Sequence, residues 1–251
     1  MRLQGIACLL AGSMLMVGLP SAAQDVSTIL SKVADAYKNA KSYQAQVTMT
    51  QVLQVGSQKQ QLTSTMTTKY KAPNKMVTLI QGNQSLQVYS DGKTMYVYSP
   101  KEREYIKMPA PASLAQAGGA GVGTGDPSQI GTQLQMLFSQ NAKKLADRKV
   151  GGKPVFVIQS TQSDKAQDGQ SSSQMTATAF IDKATYLVRQ IVISDSRSRG
   201  NQKMSQQITI TFASQQINPV LPDSAFVFKP PAGAKERQMP KPGSGEMAPP
   251  R

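Results

Sequence analysis

The sequence predicts a mainly β protein of the α+β class, with one bent antiparallel sheet of about ten strands and two helices laid on its apolar face. Three observations carry this. Segments of apolar/polar alternation recur along the chain, turn signals such as Asp91-Gly92 separate them, and only two stretches show helical spacing. No helix falls between successive strands, which excludes a doubly wound α/β arrangement.

Residues 1–23 read as a cleavable secretory leader. Arg2 precedes an apolar run from Ile6 to Leu19, and Pro20 with Ser21-Ala22-Ala23 supplies the small-residue site, so cleavage is expected before Gln24. About 14 apolar residues make roughly 21 Å of helix, short of a hydrocarbon core of roughly 30 Å. Cys8, the single cysteine, precedes most of the apolar run and is not placed for lipid attachment. The mature chain is then expected to work outside the cytoplasm without thiol or disulfide.

From Asp25 to Ala40, Val26, Ile29, Leu30, Val33, Ala34 and Tyr37 recur at three- and four-residue steps, a helix with one buried stripe. Asp25 is placed to cap it, and Asn39 to Ser42 form its exit. The period then changes to two. Ala45, Val47, Met49, Leu53 and Val55 alternate with Gln and Thr, and after Gly56-Ser57 the pattern resumes with Leu62, Met66 and Tyr70. This predicts a long hairpin, greasy on one face and wet on the other. Shorter strands follow at Lys75–Ile80, Ser85–Ser90, Thr94–Ser99 and Glu104–Met108, a meander whose Asp91-Gly92 turn supplies positive φ.

Pro109 to Gly125 carries no charge and no periodicity and reads as a flexible Ala/Gly/Pro-rich loop. Asp126-Pro127 opens a second helix with Ile130, Leu134, Leu137 and Phe138 on one face. Strands return at Pro154–Gln159, Met175–Asp182, Tyr186–Ser194 and Met204–Phe212. The polar stretches Ser163–Ser173 and Asp195–Gln202 read as loops between them. A single domain over 24–235 is expected, followed by a disordered tail at 236–251.

Composition narrows the chemistry. There is no His, and no Cys beyond the leader, which removes imidazole bases, thiolate nucleophiles and nearly all transition-metal sites. Glu102 and Glu104 alternate with Lys101, Arg103 and Lys107 as solvated surface charge. Asp164 and Asp168 lack further ligands at calcium spacing, and Gly118–Gly125 lacks a phosphate-loop ending. No catalytic residue, metal or cofactor is expected, and the chain reads as a non-enzyme.

Without Arg2 the chain has 27 basic and 14 acidic residues, a net charge of +13. The cations are scattered with no run of four or more and Trp is absent, so a nucleic-acid groove is not expected. A solvated basic exterior and attraction to anionic lipid headgroups are the two readings left. Ten Met in the mature chain, with several Tyr, enrich one sheet face in adaptable apolar side chains. They either fill a core or line a lipid-sized hollow. Strand parity gives the cavity candidates Val47, Met49, Leu53, Met66, Tyr70, Tyr96, Tyr98, Ile208, Ile210 and Phe212.

Three stretches resemble one family. They are Ser90-Asp91-Gly92-Lys93-Thr94-Met95-Tyr96-Val97-Tyr98-Ser99-Pro100, then Phe180-Ile181-Asp182-Lys183-Ala184-Thr185-Tyr186-Leu187-Val188-Arg189-Gln190, then the closing segment from Leu221-Pro222-Asp223 through Phe226-Val227-Phe228 to Pro230-Pro231-Ala232-Gly233. In this order they are similar to the periplasmic outer-membrane lipoprotein carriers, the LolA-like family, over roughly residues 25–235. The resemblance implies a half-open antiparallel β-barrel with helices covering a concave apolar face that takes up lipoprotein acyl chains. It further implies a periplasmic, monomeric carrier that meets acylated lipoproteins or lipids and inner- or outer-membrane transfer proteins. One departure stands out: carriers have an Arg immediately before Pro-Asn, where this chain has Lys71-Ala72-Pro73-Asn74. The wider superfamily also includes periplasmic sensors of envelope stress, which is the alternative role.

Overall fold

The structure is a computed structural model that describes residues 25–83, 85–114, 126–165, 171–200 and 202–238. The expected leader at 1–23, most of the expected loop at 109–125 and most of the expected tail lie outside these residues.

Helix α1 (Val26–Lys38) starts as the sequence requires: the Asp25 carboxylate accepts the Thr28 N–H at 2.7 Å. It leads into the hairpin of β1 (Ser42–Val55) and β2 (Gln58–Lys71). The meander follows as β3 (Lys75–Gln81), β4 (Leu86–Asp91), β5 (Thr94–Ser99) and β6 (Glu104–Pro109). After α2 (Ser128–Leu137) come β7 (Lys143–Val150), β8 (Lys153–Lys165), β9 (Ser171–Asp182), β10 (Val188–Arg199) and β11 (Gln202–Ile217). A short 3₁₀ turn (Asp223–Phe226) and β12 (Lys235–Glu236) close the chain.

All twelve strands belong to one open sheet in the order β12-β6-β5-β4-β3-β2-β1-β11-β10-β9-β8-β7. Its edges, β7 and β12, do not pair with each other, so this is a half-open barrel. Every ladder is antiparallel except β12 on β6. Twelve strands form where the sequence predicts about ten. β7 forms without any alternation in its sequence, and the polar stretches that read as loops are largely strand, with β8 running on to Lys165, β9 beginning at Ser171, β10 reaching Arg199 and β11 beginning at Gln202. These strand ends are polar on both faces because nothing packs on them, so they show no period of two. The chain beyond Ala234 is likewise partly ordered, with Lys235 opposite Glu104 and Glu236 opposite Tyr105.

The two helices lie on the inner face. Ile29, Val33 and Tyr37 from α1 and Ile130, Leu134 and Phe138 beside α2 share one core with Tyr43, Ala45 and Val47 of β1, Ile191 of β10 and Phe212 of β11. The helices meet closely at Gly131, where a Cβ would sit 2.7 Å from the Ala34 Cα. Tyr37 ties α1 to the sheet: its hydroxyl donates to Gln215 Oε1 at 2.7 Å and accepts the Val188 N–H at 3.0 Å. Tyr43 donates to the same Gln215 oxygen, and Gln215 Nε2 donates to the Val188 carbonyl at 2.6 Å. The Tyr37 and Tyr43 hydroxyls and the Gln215 amide are thus paired where they are brought in, as burial demands.

The outer face carries its own small core. Val77 packs with Leu221 and Phe226 under the C-terminal segment. Lys71 and Lys75 both grip Asp223, at 2.6 and 2.8 Å. Their two ammonium groups hold its carboxyl at about 2, below the usual range. Lys71, the cation nearest the family's arginine position, therefore holds the C-terminal strap on the outer face and does not reach the helices.

Candidate functional site: an apolar strip on the inner face

Pairing register decides which residues share the inner face. In β1 the odd residues from Tyr43 to Val55 point inward, because Val47 faces Phe212 and Met66, and Met49 faces Ile210. Ile193 of β10 lies opposite Ile208 of β11, and Leu62 of β2 lies opposite Gln51. The helices cover only part of this face. Beneath them Val47, Tyr70, Ile210 and Phe212 are buried. Beyond them Met49, Leu62, Val55 and Met204 stay 43, 47, 54 and 40 % exposed, with Leu53 and Ile208 half-buried between them.

From Met49 to Val55 the strip runs about 20 Å along β1, at roughly 3.4 Å per residue. At its far end the tips of β9, β10 and β11 flank a hollow of 820 Å³ lined by Val55, Met204, Arg197, Arg199 and Ser173, among others. Chemically the strip offers burial of apolar matter. Completing the burial of four half-exposed side chains contributes about 1 kcal/mol each, roughly 4 kcal/mol in all.

The sequence-derived cavity residues divide three ways. Met49, Leu53 and Ile208 line the uncovered strip, with Met66 beside it. Val47, Tyr70, Ile210 and Phe212 are core under the helices, which fill the space that strand parity left open as a hollow. Burial, with the nearby Asp126 carboxylate, pushes the Tyr70 hydroxyl up to about 12. Tyr96 and Tyr98 are a correction: they face outward. Tyr96 sits opposite Tyr89 and Tyr98 opposite Tyr105, and all four rings surround Phe228 at 5.0 to 5.8 Å between centroids. Alternation identifies two faces of a strand but not which one the helices will cover. Leu62, Val55 and Met204 were absent from the sequence-derived set although their parity placed them on the same face.

Among the described residues, no cluster of three His, Cys, Asp or Glu is placed to hold a metal. The sequence model of a family described as Predicted periplasmic protein (DUF2092) matches residues 27–239, from α1 past β12. The chain belongs to the DUF2092 family. This DUF2092 protein is 24 % identical over 209 residues to an uncharacterized protein of Methanocaldococcus jannaschii, a match covering 82 % of this chain and 52 % of that one. It thus spans about half the length of the curated relative it matches. Among solved structures it is similar to LprF from Mycobacterium bovis, at 15 % identity over 77 % of this chain and 93 % of that one, with a TM-score of 0.41. It is also similar to a LolA superfamily protein from Nitrosomonas europaea, at 11 % identity over 82 % of this chain and 99 % of that one, with a TM-score of 0.31.

Proposed function

We infer that this DUF2092 protein is a periplasmic binder of acyl chains, which it shelters on the uncovered half of the inner face for transfer between membranes. The observation that carries this is the strip itself. Met49, Leu62, Val55 and Met204 are among the large apolar side chains the molecule leaves exposed, and they fall on one face, next to the core and open at one end. Exposed apolar side chains gathered on one face in this way, with Gln51 and Gln206 interleaved among them, suit a binding site that is apolar with a few polar groups. Each acyl methylene sheltered there contributes about 0.8 kcal/mol, so a strip about 20 Å long can hold a chain that water rejects. Lipoproteins and free lipids present the same acyl chemistry to it.

The test is extraction of the natively purified protein and mass spectrometry of what it carries, compared with a Met49→Asp/Leu62→Asp variant. The wild type should retain acyl lipid or lipoprotein, and the variant should lose it with little change in stability, since both positions are solvent-exposed. A lipid-free wild type with a stable protein partner would point instead to the envelope-stress sensor role.

A further inference from the structure

Part of this chain's positive charge gathers along one edge of the sheet. Within Lys143–Lys153, Lys143, Lys144, Arg148, Lys149 and Lys153 stand against the single carboxylate of Asp147. They lie along the open edge of the sheet, on β7 and the start of β8. Folding brings two more lysines from elsewhere in the chain. Lys183, in the turn between β9 and β10, pairs with Asp147, and Lys32 of α1 donates to the Tyr186 hydroxyl at 3.2 Å. Lys183 is the main cause that holds the Asp147 carboxyl below its usual range, with Lys144 adding to it. Behind these cations the rings of Phe156 and Tyr186 stack at 5.9 Å and 28°. Lys144 and Lys183 lie 5.8 and 5.1 Å from the Phe156 centroid, and Lys32 lies 5.0 Å from that of Tyr186.

Lysines on an edge strand are a common device against strand-to-strand aggregation. That device has no use for Lys32 and Lys183, which come from other elements and converge on an aromatic pair. We propose that the β7 edge is a docking surface for anionic membrane headgroups. An eight-residue strand extends about 26 Å, so a flat anionic surface laid along this edge can meet these cations, and the aromatic pair, packed against the core, holds Lys32, Lys144 and Lys183 beside it. An added acidic peptide strand fits less well. The β7–β8 ladder shifts register between Leu145 and Arg148, and this irregularity interrupts the backbone that such a strand would have to continue.

The test is cosedimentation of the full mature chain with vesicles of phosphatidylcholine alone or with about a third phosphatidylglycerol, at low and high salt. Binding should require phosphatidylglycerol and vanish in high salt. A quadruple variant, Lys143→Gln, Arg148→Gln, Lys149→Gln and Lys153→Gln, should bind roughly six-hundredfold more weakly, since each basic residue near such a surface is worth roughly fivefold and the four multiply. A control with the same charge change elsewhere, Lys59→Gln, Lys93→Gln, Lys101→Gln and Lys203→Gln, should stay within about threefold of wild type. Hydrogen exchange on the vesicle-bound wild type should show added protection at residues 143–153 and around Tyr186. Equal losses in the two variants, binding indifferent to phosphatidylglycerol, protection elsewhere, or capture of an acidic peptide with vesicles left unbound would each overturn the proposal.

Discussion

Gly131→Ala separates a tightly seated helical cover from a loosely laid one. In an exposed helix interior this substitution adds about 1 kcal/mol of stability, because Ala loses less backbone entropy than Gly. At position 131 the new Cβ would lie 2.7 Å from the Ala34 Cα and 3.0 Å from its Cβ. Carbon atoms rest at about 3.5–4.0 Å, so α1 and α2 must part by roughly 1 Å. The Ile130 and Leu134 contacts beneath them would loosen with it. Overpacking of this severity costs about 2–3 kcal/mol. Subtracting the propensity gain leaves a net loss of about 1–2 kcal/mol, equivalent to a midpoint lower by roughly 2–8 °C for a domain of this size. Denaturant unfolding followed by far-ultraviolet circular dichroism measures it, with the slope unchanged. Ala34→Gly should not restore the loss, because the nearest atom is backbone. A gain of about 1 kcal/mol in Gly131→Ala would refute the close helix contact.

Two further outcomes follow from groups away from the strip. Burial raises the Tyr37 and Tyr43 hydroxyls well above the ordinary tyrosine value. A raised folded-state pKa means that the contribution is complete below about pH 10 and is lost as pH climbs above it. Stability should therefore be level from about pH 7 to 9 and fall above 10, with Tyr43→Phe flattening the fall; a level profile through pH 11 would count against this. Phe228→Ala removes the ring at the centre of four tyrosines and should cost about 2–3 kcal/mol, less than a fully buried Phe because the site is half-open. Hydrogen exchange should quicken at Lys235 and Glu236, while acyl binding on the inner face stays unchanged.

Helix α1, its Asp25 cap and the β1–β2 hairpin were legible because local signals decide them: a 3.6-residue stripe, an N-cap and an uninterrupted period of two. The β7 strand was not. Lys143–Val150 has no alternation, and it forms because β8 offers it a ladder. Strand ends such as Ser171–Gln174 were hidden for the same reason, with water on both faces. The inner strip could be read from parity for Met49, Leu53 and Ile208. It failed for Tyr96 and Tyr98 because the covering of their face is settled by Phe228, well over a hundred residues later in the chain. The basic edge was legible only in part: five of its cations share the stretch Lys143–Lys153, while Lys32 of α1 and Lys183 of a turn join them only on folding.

The claim that acyl chains lie on the uncovered inner face is tested most directly by photo-crosslinking. A diazirine-bearing fatty acid would be irradiated with the protein and its adducts mapped by peptide mass spectrometry. Adducts concentrated on Met49, Leu53, Leu62, Met204 and Ile208 are the predicted result. Adducts concentrated on Tyr96, Tyr98 and Phe228, or none above background, would contradict it.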